Sequence, residues 1–129
     1  MEIIIKQDYD KMSKEAADFI VNYINNKPET LLCIAGGETP AGIFKYLIEA
    51  SNNKKVDFSK CKFVSLDEWV GLGRETRGSC IETLYNQFFD SIPVTEDQIC
   101  FFDGLTSDLE KECKRVDKFI SDNGNIDLI

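Results

Sequence analysis

The sequence has no histidine. That absence removes the commonest general base and the commonest metal ligand together. The five cysteines, Cys33, Cys61, Cys80, Cys100 and Cys113, are odd in number and contain no C-x-x-C pair. Their spacing offers neither a zinc site nor a disulfide framework, and they read as reduced thiols used as small hydrophobes. No Lys/Arg cluster occurs and the net charge is −8, which argues against nucleic acid or an anionic membrane as partner. Any anionic ligand must be held by local features. No apolar run approaches the length that crosses a bilayer, and Met1-Glu2-Ile3-Ile4-Ile5-Lys6 turns polar too soon for a signal peptide. The expected setting is the cytoplasm. Internal repeats, low-complexity segments and linkers are also lacking, and 129 residues suffice for one domain with a real core.

What is present is an alternation of short apolar runs and helical periodicities. Ile3-Ile4-Ile5 reads as a first strand. Met12, Ala16, Phe19, Ile20, Tyr23 and Ile24 recur at helical spacing between Tyr9 and Asn26, and Asn25-Asn26-Lys27-Pro28 stops them. Thr30–Ala35 reads as a buried strand. A helix after Pro40 carries Ile43, Phe44, Leu47 and Ile48. Lys62–Leu66 is a third strand and Ile99–Phe102 a fourth. Ser79 with Glu82, and Ser107 with Glu110, are capping-box patterns that open two further helices. Ile126–Ile129 begins a fifth strand. The order β-α-β-α-β-α-β-α-β predicts a three-layer α/β fold, doubly wound around a mostly parallel sheet. In such sheets ligands sit beyond the carboxyl ends of the strands. A run that halts inside a central strand suggests a cut sequence, and a partial sheet exposes an edge that invites a second copy, so a homo-oligomer is among the expectations.

Two segments fall on that edge. Gly36-Gly37 follows the second strand, with Thr39 suited to an N-cap and Pro40 to a first helical turn. Backbone N–H groups so arranged can cradle a phosphate; a tight turn needing positive φ is the plainer alternative. The segment is neither a dinucleotide fingerprint nor a Walker A loop, and the Glu38 carboxylate would repel an anion unless it points away. Asp67-Glu68 closes the third strand. Successive side chains there diverge, so at most one faces a ligand, as a proton-transfer base; the alternative is that either one binds backbone N–H groups. Trp69 reads as core. Arg74 and Arg77 read as solvated loop cations. Asp10, Asp57 and Asp103 read as turn or cap residues.

Together, Ala35-Gly36-Gly37-Glu38-Thr39-Pro40, Ser65-Leu66-Asp67-Glu68-Trp69-Val70-Gly71-Leu72, Gly78-Ser79 and Asp127-Leu128-Ile129 resemble the glucosamine-6-phosphate isomerase/6-phosphogluconolactonase superfamily. The D-E-aromatic-V-G-L form looks more like its deaminating branch; the lactonase branch more often has D-E-R. The resemblance covers essentially the whole chain but only the first part of a family member. It implies a Rossmann-like sheet without a nicotinamide cofactor and a small phosphorylated sugar as partner; no metal or other cofactor is expected. It places Gly36, Gly37, Glu38 and Thr39 at the substrate and its phosphate, although the family usually has Ser or Gly where Glu38 stands. It matches Asp67 to the enolisation base that converts glucosamine 6-phosphate to fructose 6-phosphate and ammonia. A lactone hydrolase of the same superfamily and a non-catalytic sugar-phosphate-binding fragment are the alternatives. The family's D-G-H segment is expected beyond the strand that Ile126 opens, making this the N-terminal portion of a longer domain.

Overall fold

Three runs free of Pro and Gly form the strands: Leu31–Ile34 (β1), Lys62–Ser65 (β2) and Ile99–Cys100 (β3). In the computed structural model, which describes residues 3–129, they pair in parallel in the order β1-β2-β3. Leu128 bridges the free side of β1 in parallel fashion: Asp127 N–H donates to the Leu31 carbonyl and Cys33 N–H to the Leu128 carbonyl, both at 2.9 Å. The chain therefore winds outward from β1 to β3 and then returns to the opposite side of β1. That reversal is a switch point, and in open parallel sheets the crevice beyond it is where ligands bind.

The helices are Tyr9–Asn26 (α1), Glu38–Asn52 (α2), Cys80–Gln87 (α3) and Leu109–Asp122 (α4). Alternate strand residues face opposite ways. Leu32 and Phe63 join the core built with α1, α2 and α3, whereas Leu31, Cys33, Val64 and Cys100 pack with Val116, Phe119 and Ile120 of α4. The result is the three-layer α/β arrangement read from the sequence. Phe88 anchors the first core, stacked on Phe44 at 4.8 Å and edge-on to Phe58 and Phe63, which fixes the end of α3 against the sheet. Among the described residues no helix is long and apolar enough to cross a membrane.

Several local expectations are corrected. Ile3, Ile4 and Ile5 form no strand and are exposed; β-branching favours extension, but a strand needs a neighbour to pair with. The N-cap of α2 is Gly37 at φ 133°, not Thr39, which lies inside the helix. The N-cap of α4 is Asp108, whose carboxylate accepts from Lys111 N–H at 2.9 Å, not Ser107. Ser79 does cap α3, accepting from Glu82 N–H, but the Glu82 carboxylate reaches Gly78 N–H at 3.2 Å and not Ser79. Trp69 is 63% exposed and is not core.

One polar clamp ties the returning segment to the sheet. The Asp127 carboxylate accepts from Leu31 N–H, the Tyr23 hydroxyl and the Lys27 ammonium. Burial pushes that carboxyl up, but Lys27 and the Leu31 amide outweigh it and hold it below its usual value. A depressed carboxylate stabilises the fold above its unfolded value and loses that contribution as pH falls through the folded one. The stability gap between wild type and Asp127→Asn should thus be widest near neutrality and shrink below about pH 4. Urea unfolding at a series of pH values tests this; a gap unchanged down to about pH 2 would contradict it.

Candidate functional site

The carboxyl edge of the sheet is built from two adjacent strands in known register. Ile34 pairs with Ser65, and Leu66 N–H donates to the Ile34 carbonyl at 2.8 Å. Gly36 and Asp67 each lie two residues past that pair, so the glycine loop and the Asp67 segment leave the sheet side by side. Neighbouring strands are about 5 Å apart. Gly36, Gly37, Glu38, Thr39 and Leu66 line one cavity of about 450 Å³ beside the switch point, within the usual size of a small-molecule site.

Gly36 is required by proximity: a side chain there would press on Thr83 of α3 at 2.9 Å. Gly37 is required by conformation, since at φ 133° an added Cβ meets nothing but the backbone itself is strained. The Gly37 amide is already engaged, donating to the Gln87 side-chain oxygen at 3.1 Å. Pro40 has no N–H. The Glu38 and Thr39 amides are therefore the ones left open, with no protein acceptor among the described residues. They sit on the first turn of α2, where the helix dipole favours negative charge. Glu38 itself is exposed.

The acidic pair divides its duties. The Glu68 carboxylate accepts from Cys80 N–H and Ile81 N–H, both at 2.9 Å, and from Trp69 N–H at 2.8 Å. With Ser79 taking Glu82 N–H, the three free donors of the first turn of α3 are all satisfied. Glu68 is thus a structural cap. The Asp67 side chain is exposed at the rim, and the polar partner it has is the Cys80 thiol, whose Sγ lies 3.8 Å from Oδ1. Burial, then Glu68 and Asp67, push that thiol up to about 11, so it stays protonated and donates. Burial first, then the Asp67 charge, also raises the Cys33 thiol of β1.

The surrounding loop is braced from below. Arg74, read as a solvated cation, instead pairs with Glu96 at 3.0 Å and lies 4.2 Å over the Tyr85 ring. Gly71 N–H donates to the Gly104 carbonyl at 2.7 Å, and any side chain at Gly104 would collide with the Trp69 and Leu72 carbonyls. Asp57 and Asp103 accept from the amides two residues on, as turn residues do, while Asp10 accepts from the Tyr46 hydroxyl. Gln87 and Tyr9, both bonded to the glycine loop or the turn behind it, were not legible in the sequence. Their partners lie 29 to 50 residues away, and no local pattern marks such a contact.

Comparison with known proteins places the fold in a family. The family model described as glucosamine-6-phosphate isomerases/6-phosphogluconolactonase matches residues 7–129. The chain is 38% identical over 128 residues to a glucosamine-6-phosphate deaminase of Clostridium botulinum (strain Loch Maree / Type A3), covering 99% of this chain and 52% of the relative. Against the deaminase of Clostridium tetani (strain Massachusetts / E88) the identity is 41%, over 99% of this chain and 53% of that one. The solved structure of a monomeric glucosamine-6-phosphate deaminase superposes with a TM-score of 0.93 at 29% identity, over 98% of this chain and 53% of that chain. A 6-phosphogluconolactonase of Thermotoga maritima shares the fold, with a TM-score of 0.74 at 15% identity over 95% and 54% of the two chains. The chain spans about half the length of the curated relatives it matches. On the match of residues 7–129, the chain belongs to the glucosamine-6-phosphate isomerase/6-phosphogluconolactonase family.

Proposed function

We propose that this chain supplies the phosphate loop and the enolisation base of an amino-sugar-phosphate deaminase, and that residues 1–129 form the N-terminal portion of its domain. The observation that carries this reading is the register that sends the glycine loop and the Asp67 segment off neighbouring strands side by side at a switch point: Glu38 and Thr39, with their open amides, line the cavity, and the exposed Asp67, not itself a lining residue, directly follows Leu66 of that lining. The identity to named deaminases, 38–41% in the relatives compared, supports the deaminating branch. The free cysteines support a reducing compartment such as the cytoplasm.

The phosphate of open-chain glucosamine 6-phosphate docks on the amides of Glu38 and Thr39, with Gly36 and Gly37 letting the backbone come close. Anchoring the far end of the sugar fixes C1 and C2 near Asp67. The Asp67 carboxylate removes the proton from C2; the pair of electrons left behind forms the C1–C2 double bond, and the aldehyde oxygen takes up a proton. Asp67 then returns the proton to C1. As C1 is protonated the nitrogen lone pair forms the C2–N double bond, so the product is the 2-iminium of fructose 6-phosphate, whose positive charge is the proton taken up from water at the aldehyde oxygen; hydrolysis gives fructose 6-phosphate and ammonium, the protonated form of the released ammonia.

A coupled ammonia-release assay on the product of the whole gene, run beside a lactone-hydrolysis assay, tests the reading. Ammonia release from glucosamine 6-phosphate is expected. Lactone hydrolysis alone would move the chain to the other branch, and sugar-phosphate binding without turnover would make it a binding protein. The loop has its own test. Gly37→Val forces a β-branched residue into positive φ, a strain of about 1–3 kcal/mol. It should weaken binding of glucosamine 6-phosphate by about tenfold or more and that of unphosphorylated glucosamine much less. Equal losses for the two sugars would remove the loop from phosphate recognition.

A further inference from the structure

α1 begins at Tyr9, and the Tyr9 ring lies against the first turn of α2. Its hydroxyl accepts from Gly42 N–H at 2.8 Å and faces the carbonyls of Glu38 at 2.6 Å and Thr39 at 3.0 Å, between which its single proton is shared. In an undisturbed α-helix the Gly42 amide would bond the Glu38 carbonyl directly. Here the Tyr9 hydroxyl, from another helix, adds a bond to each of those two groups. Gly42 makes the approach feasible, because an added Cβ would run into Ser13 Oγ and lie 2.9 Å from the Tyr9 ring. The Glu38 carbonyl held by Tyr9 shares its peptide plane with the Thr39 amide, one of the two that stand open at the cavity. On the other side, Gln87 of α3 holds the Gly37 amide.

Resting on the function proposed above, we infer that Tyr9 is a positioning residue for recognition of the sugar phosphate: its hydroxyl holds from behind the Glu38–Thr39 peptide group, which carries the open Thr39 amide. Tyr9 does not touch the substrate. It fixes the backbone that does, and losing it leaves the loop to find the binding geometry at each encounter. A site preorganised by one neutral hydrogen bond loses affinity by roughly 3- to 10-fold when that bond is removed. The loss should appear in KM and not in kcat, because Asp67 hangs from a different strand.

The experiment compares Tyr9→Phe with Tyr46→Phe in the product of the whole gene. Tyr46→Phe removes the neighbouring α1–α2 bond, from the Tyr46 hydroxyl to Asp10 Oδ1 at 2.8 Å, without touching the loop. Tyr9→Phe should raise KM for glucosamine 6-phosphate by roughly 3- to 10-fold, leave kcat within about twofold, weaken competition by inorganic phosphate in proportion, and speed hydrogen exchange at the Gly42 amide. Tyr46→Phe should change none of these. The inference is overturned if KM stays put while Gly42 exchange quickens, if Gly42 exchange is unaltered, or if both variants raise KM alike, which would make the effect one of general α1–α2 docking. Failure of the underlying reading looks different: the wild-type protein would release no ammonia, or would go on doing so with Asp67→Asn.

Discussion

Asp67→Asn is expected to lower ammonia release from glucosamine 6-phosphate by about 10²- to 10⁴-fold, the usual contribution of a positioned general base. Binding of the sugar phosphate should be nearly unchanged, because the open amides lie on α2 and not on the Asp67 strand. Stability should hold as well. The Asp67 side chain is exposed and accepts from no backbone amide among the described residues, and its contact with the Cys80 thiol is a weak one at 3.8 Å. The asparagine keeps the size and the hydrogen-bonding oxygen but cannot take a proton from carbon. Turnover in single-turnover and steady-state assays, read beside binding measured by calorimetry, checks the result. An Asp67→Asn variant that turns over at the wild-type rate would end the assignment of Asp67 as the base.

Glu68→Ala should do the reverse, damaging the fold before the chemistry. Three backbone amides donate to that one carboxylate. Hydrogen bonds to a charged acceptor are worth about 1.5–3 kcal/mol each, but neighbouring ones overlap and water replaces part of the loss. A net destabilisation of about 2–4 kcal/mol is expected, which for a domain of this size lowers the thermal midpoint by roughly 10 °C. Glu68→Gln should fall between, since one amide oxygen can serve some of the donors while its NH2 group faces the others. Thermal unfolding of the three proteins gives the order. If Glu68→Ala proves as stable as wild type and loses turnover, the two acidic residues have the opposite roles.

The contrast between these neighbours shows where local pattern stops being informative. D-E at the end of a strand marks two carboxylates at the ligand edge, and that much is a matter of spacing and winding. Which one is spent on the backbone depends on the first turn of α3, twelve residues on, being brought back over the edge of β2. The same limit explains Trp69, whose size suggests a core that the fold does not supply at that point, and Ile3–Ile5, whose β-branching has no partner strand. Asp108 displaces Ser107 as cap because both side chains suit the role and the geometry of the preceding turn chooses between them.

Periodicity and short-range chemistry alone determined the α/β alternation, the limits of α1, the Ser79 cap, and the two segments that leave the carboxyl edge. These are properties of a helix turn or a strand pleat, which a few consecutive residues define. The tertiary structure decided which carboxylate stands free, which amides of the glycine loop remain open, and that Tyr9 and Gln87 hold the loop from two sides. Each of those outcomes joins residues far apart in the chain, and hydrogen bonds between such residues are chosen by packing, on which local sequence has no hold.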